Sequence, residues 1–248
     1  VLQMVFSSSS REGWEESGQG LSIRDLAMHV VLPEIDGRIL TRAVSFKEEG
    51  VFDEATQSTP VAFTPMPDRI RFVADLAASW AALGQRPNAE KRAALILANY
   101  PNRDGRLANG VGLDTPASCV SALKAMGADG YEIGDAPATS SELMDVLTAG
   151  VTNALQGRNA RARFETLPLD AYRRAFAKLP EPVRNSVLER WGQPEDDPHI
   201  ADGAFRLALH RFGNQVVGVQ PARGYNIDPK ETYHDPDLVP PHHYFAFY

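Results

Sequence analysis

Apolar and polar positions alternate in blocks along the chain, and each block predicts an element. "VLQMVF" (1–6) is a short apolar run followed by "SSSSREG", a strand leading into a polar loop. In "LSIRDLAMHVVL" (21–32), Leu21, Leu26 and Val30 recur at mostly helical spacing, punctuated by Pro33 and Gly37. "RILTRAVSF" (38–46) is β-branched and reads as a strand, and the polar, Pro-containing residues 47–66 read as a loop. From Pro67, the residues Ile70, Val73, Leu76, Trp80 and Leu83 line one face of a helix, with Gly84 as its stop. "RAALILANY" (92–100) is a continuous apolar strand of the kind buried on both faces of a parallel sheet. A long Gly- and Asn-rich loop follows. Asp114 or Thr115 caps the next helix, with Pro116 in its first turn, Val120 and Leu123 facing inward and Gly127 ending it. "YEI" (131–133) reads as a short strand, and "TSSE" (139–142) as a capping box opening a helix through Leu143, Val146 and Leu147. Residues 150–195 look helical, broken at Pro180 and Pro182, and 205–221 reads as a β-hairpin turning at Gly213 and Asn214.

This order predicts an α/β protein: Rossmann-like sheet units, a helical insertion and a β-hairpin. Residues 1–66 would end a first α/β unit and 67–150 would form a second around a parallel strand pair within 92–150. Residues 151–200 would be the helical insertion, and 201–248 the hairpin and ligand-site loops.

Composition narrows the class. At 248 residues and 43% hydrophobic content, the chain can bury a full core without metal or disulfide staples. The single cysteine, Cys119, rules out an internal disulfide and suits a reducing, cytoplasmic setting. A net charge of −7 argues against nucleic acid as a partner, and no apolar run approaches a membrane span. The first residues lack the basic region of a signal peptide. Val1 is not an initiator methionine and Tyr248 closes an aromatic run, so the chain reads as a piece of a longer polypeptide.

Three stretches carry candidate chemistry. "NYPNRDGRLANGVGLDTPAS" (99–118) lies between a buried strand and a helix start, where open α/β sheets bind ligands. Backbone N–H groups at a helix start favour anions, and Arg103 and Arg106 add charge; the plain alternative is a surface loop with glycines at its turns. The glycine spacing is neither a P-loop nor a dinucleotide fingerprint. "GVQPARGYNIDP" (218–229) offers Gln220, Arg223, Tyr225 and Asn226 to carboxylates or amides, or else to its own turns. "YHDPDLVPPHHYFAFY" (233–248) concentrates His234, His242 and His243 with Asp235 and Asp237 on a proline-stiffened segment. Imidazole and carboxylate together suit cobalt, nickel or zinc, yet no strong metal-site spacing is present. On an extended chain, adjacent His242 and His243 would point to opposite sides, so at most one would face a given site.

Read together, "GLSIRDLAMHVVLPEIDGRILTRAVSFK", "ILANYPNRDGRLANGVGLDTPAS" and "VGVQPARGYNIDPKETYHDPDLVPPHHYFAFY" resemble the large subunit of aerobic cobaltochelatases, which is related to the porphyrin-binding large subunit of magnesium chelatases. The resemblance is weakest over 135–200. It implies an ATP-dependent ligase that inserts Co2+, its substrate metal, into hydrogenobyrinic acid a,c-diamide during cobalamin synthesis. It implies two smaller AAA+-type partner subunits that carry ATP and Mg2+. Under it, Asn99, Arg103, Arg106, Asn109, Gln220, Arg223, Tyr225 and Asn226 are expected to bind the tetrapyrrole. His234, Asp235, Asp237 and His242 are expected to handle metal, and His234, His242 and His243 to act in the insertion chemistry. Family members are far longer, with a His/Gly/Glu-rich stretch expected beyond the aromatic run, so this piece alone is expected to be inactive. The competing expectations are a magnesium-type subunit acting on a porphyrin, a non-catalytic ligand-binding module of the periplasmic-binding type, and a structural segment that docks the ATPase partners.

Overall fold

The computed structural model describes residues 1–248 apart from 19, 100–106, 109, 111, 156, 158–159, 162–164, 228–234 and 236. The chain divides into two compact units, Val1–Arg86 and Pro87–Tyr248.

In the first unit, strands β1 (Leu2–Ser7), β2 (Ile39–Glu49) and β3 (Val61–Pro65) form one sheet in that order. β1 and β2 are parallel, and β3 returns antiparallel, so part of the predicted 47–66 loop is strand. Helix α1 (Arg11–Glu16) starts where the Ser10 hydroxyl accepts the Gly13 N–H. Helix α2 (Ile23–Leu26) runs through a π-helical turn (Ala27–Val31) into α3 (Leu32–Ile35). The buried Asp25 carboxylate holds this connection against β1 by accepting the Ser8 N–H and hydroxyl. The core is small: Val5, Ala43 and Phe46, with Trp14, Leu21 and Met66 packed around them.

Helix α4 (Pro67–Gln85) belongs to this unit rather than to the next. β3 feeds straight into it, with the Met66 N–H on the Val44 carbonyl, and Arg69 reaches back over the Trp14 ring. Its predicted apolar stripe exists, but only Val73 is buried, and Trp80 is 47% exposed.

In the second unit, β4 (Ala93–Leu97) pairs in parallel with β9 (Gln215–Val219), which pairs antiparallel with β8 (Leu209–Phe212). The hairpin turns at Gly213 and Asn214 as the sequence predicts. The parallel partner of β4 is therefore β9, not Tyr131–Ile133. That segment lies against the hairpin turn instead, where the Glu132 carbonyl accepts from the Asn214 N–H and the Gln215 side chain. Backbone meets backbone so closely there that a Cβ on Gly213 would sit 2.7 Å from the Glu132 carbonyl oxygen. Helices α5 (Thr115–Ala128) and α6 (Ser140–Ala149) cover this sheet with Leu123, Leu143 and Leu147, all fully buried. Asp114 caps α5, and Thr139 caps α6 while Glu142 returns to the Ala138 N–H.

A third sheet has the order β5 (Glu165–Pro168), β7 (Ala204–Leu207), β6 (Ile200–Ala201), all antiparallel. The expected helical insertion over 151–200 thus also contains a strand, β5. The predicted break at Pro180 and Pro182 separates two helices: α7 (Leu169–Phe176) ends before it and α8 (Glu181–Trp191) starts at it, with Pro182 in its first turn, where a missing N–H costs nothing. The protein is α/β with three small three-stranded sheets; no larger doubly wound sheet forms among the described residues.

Candidate functional site

The end of α8 organises the site. Gly192 takes a left-handed φ of 79°, which ends the helix, and Gln193–Asp196 form a tight capping turn. The chain then runs Asp197–Pro198–His199 into β6. Asp197 folds back locally, its Oδ1 accepting the His199 N–H at 2.8 Å and His199 Nδ1 at 3.1 Å. Its other oxygen, Oδ2, accepts the His243 N–H at 3.0 Å and His243 Nδ1 at 3.2 Å. One carboxylate therefore receives four hydrogen bonds from two histidines that are 44 positions apart (243 − 199). The imidazole rings stack with centroids 3.7 Å apart and planes 22° from parallel.

All three residues are buried, and the Asp197 side chain is fully so. Burial alone would raise its carboxyl pKa, but the hydrogen bonds from His199 and His243 outweigh this and hold it well below the usual carboxylate range. An ionised carboxylate only accepts, so both Nδ1 atoms carry hydrogen. The His243 Nε2 atom is buried and has no hydrogen-bond partner among the described residues. A cavity of about 10 Å³, the size of one water site, is lined by His199 and His243 together with Thr152, Arg206, Pro221 and Phe247.

The C-terminal segment is not extended. His242–Phe247 form a short helix, α9, with Pro241 at its N-cap. Successive helical residues point about 100° apart, so the two histidines still go to different places. His242 donates from Nε2 to the Gly192 carbonyl at 3.1 Å and accepts the Tyr172 hydroxyl on Nδ1 at 2.7 Å. Burial is the main cause that lowers its pKa, and both nitrogens are occupied. His243 goes to Asp197. Trp191 Nε1 donates to the Val239 carbonyl and Arg223 to the Leu238 carbonyl, which ties the segment down.

Not all the predicted site residues meet. Arg103, Arg106, Asn109 and His234 lie outside the described residues. Asp235 accepts the Asp237 N–H in a local turn, and Asp237 is exposed. Asn99 and Gln220 are brought together, because β4 and β9 are parallel and in register and the Gln220 N–H donates to the Leu97 carbonyl. The 99–118 and 220–226 loops thus start side by side. Asn99 is buried, and its Oδ1 has no partner among the described residues. Tyr225 packs on Trp191 and His243, its phenol pKa raised to about 12, mainly by burial. Asn226 is exposed at a left-handed φ of 57°.

Sequence reasoning missed Asp197 and His199. Their Asp-x-His spacing puts both side chains on one face of an extended segment, which is the one local signal available.

These motifs and this fold can be placed among known proteins. A sequence model described as CobN/Magnesium Chelatase matches residues 1–248. The chain belongs to that family. It is 55% identical over all 248 residues to an aerobic cobaltochelatase subunit CobN from Sinorhizobium sp., and 51% identical over the same length to the subunit of that name from Pseudomonas aeruginosa. The match covers 19% and 20% of those proteins, so the chain spans about a fifth of the curated relatives it matches. The solved catalytic subunit of cobaltochelatase from Mycobacterium tuberculosis superposes with a TM-score of 0.79 at 37% identity, covering 99% of this chain and 20% of that one.

Outside this cluster, the buried His210 on β8 is 1% exposed, and burial lowers its pKa to about 4. The depressed value means that stability is present above the unfolded value of 6.5 and is lost as pH falls towards 4. Between pH 7 and pH 5 this contributes about 2 kcal/mol of lost stability. His210→Leu should flatten the urea midpoint over that range; an unchanged slope would assign it elsewhere.

Proposed function

We propose that the chain is part of the large subunit of an aerobic cobaltochelatase, a cytoplasmic enzyme that holds hydrogenobyrinic acid a,c-diamide while Co2+ is inserted. Two smaller AAA+-type subunits carry ATP and Mg2+ and drive the step. The observation that carries this reading is the identity above 50% along every residue to two subunits of that name.

The structure supplies chemistry that fits. Insertion replaces two pyrrole N–H protons by one metal ion, so the site must bind a polar macrocycle, deliver a cation and receive protons. The paired ends of β4 and β9 bring Asn99 and Gln220 together, amides that suit amide and carboxylate side arms, and the buried Asn99 Oδ1 has no partner among the described residues. Arg223 is partly committed to the Leu238 carbonyl, so the side-arm charge falls to Arg103 and Arg106 on this reading.

The test is reconstitution of the intact subunit with both partner subunits, ATP, Co2+ and the tetrapyrrole, followed by the absorbance of the cobalt product. Cobalt product should form, and Asn99→Ala should weaken macrocycle binding by roughly tenfold, the cost of one hydrogen bond. Insertion of Mg2+ into a porphyrin would move the protein to the magnesium branch. Absence of any macrocycle binding would reduce it to a non-catalytic module.

A further inference from the structure

We propose that Asp197, His199 and His243 form a binding site for a divalent first-row transition-metal ion. The donor set is one carboxylate and two imidazoles, which suits cobalt, nickel, zinc or iron rather than calcium or magnesium. The candidate ligand atoms, one from each residue, all lie within 4.8 Å of one another. The carboxylate-to-imidazole separations are 3.1 and 3.2 Å. Adjacent ligands on an ion with bonds near 2.05 Å stand about 2.9–3.4 Å apart, so each imidazole already sits at a coordination edge from the carboxylate.

Two observations point to a cation. The backbone N–H groups of His199 and His243 give each oxygen of Asp197 one partner and the rings give it a second, so two imidazoles converge on one ionised carboxylate. The rings also stack on one another inside the protein, and His243 Nε2 is left without a partner among the described residues. Coordination through Nδ1 would shift its hydrogen to Nε2, and His199 and His243 both line a cavity of about 10 Å³. A macrocycle does not fit so small a space, whereas an ion does.

The hold is loose by construction. One carboxylate offsets one of the two positive charges, and Arg206 lines the adjoining cavity. A dissociation constant for Co2+ on the order of micromolar is expected, far weaker than closed structural sites. Only the naming of cobalt as the ion rests on the proposed function; the site stands on its own geometry.

The experiment titrates Co2+ into tag-free protein by calorimetry, with X-ray absorption on the cobalt-loaded wild type. One ion should bind, with two imidazoles in its first coordination shell. His199→Gln and His243→Gln, whose amides can still donate to Asp197, should each weaken binding by at least about tenfold. His29→Gln, outside the cluster, should leave it unchanged. Absence of binding, a cobalt shell without imidazole, or wild-type affinity in both glutamine variants would overturn the site. The absorption measurement needs no variant, so the proposal stays falsifiable if the variants misfold. Cobalt bound here by a protein that inserts none would sink the proposed function and leave the site standing; insertion with no ion at the triad would do the reverse.

Discussion

Asp197→Ala should lower the stability of the Pro87–Tyr248 unit by about 3–5 kcal/mol. The buried carboxylate accepts four hydrogen bonds, and alanine would leave two backbone and two imidazole donors without it. It would also cut the link between the end of α8 and the start of α9, which are far apart in sequence. Urea unfolding followed by circular dichroism measures the loss, and a variant within 1 kcal/mol of wild type would refute the account. Acidity supplies an independent signature. Folding depresses the Asp197 pKa, so its stabilisation is present above the unfolded value near 3.8 and is lost as pH falls below it. The wild type should therefore lose stability in that acid window by a component absent from Asp197→Ala.

His242→Ala should cost about 4 kcal/mol, by a different route. The ring is fully buried between Tyr172, whose plane it meets edge-on at 5.6 Å, and Phe176 at 5.1 Å. Truncation strands the Tyr172 hydroxyl and the Gly192 carbonyl, each costing about 1–3 kcal/mol, and opens a cavity besides. His242→Gln should recover part of this by reaching one of the two partners. Equal stability of the alanine and glutamine variants would show that packing, not the hydrogen bonds, sets the cost. Together the two substitutions separate neighbours that look equivalent in sequence: His242 is a brace and His243 faces the acid.

What could be read from the sequence followed the range of each signal. Gly213–Asn214 between two largely apolar runs fixed a hairpin, and Asp114 and Thr139 marked helix starts, because turn and cap chemistry is complete within four residues. The partner of β4 was not legible, because an apolar run announces burial and not which strand lies beside it. Four-residue β5 carries too little pattern to stand out from the helices around it. The prolines before His242 suggested an extended tail, but Pro241 serves as the N-cap of α9. In the site, His243 was visible as chemistry. Asp197 and His199 were not, because only the docking of the last helix onto the end of α8 gives their short spacing a meaning.

The parallel pairing of β4 with β9 has a consequence in time. Ala93 faces Gln215, 122 positions later (215 − 93). At a synthesis rate of about 5–20 residues per second, β4 leaves the ribosome roughly 6–25 s before its neighbour exists. Throughout that interval "AALIL" is an apolar strand with an open edge. Helices α5 and α6 are made early enough to shield one face of it, but no local partner can close the ladder. The nascent chain therefore passes through a stage in which this apolar strand waits on the β8–β9 hairpin, and chaperone capture would act there.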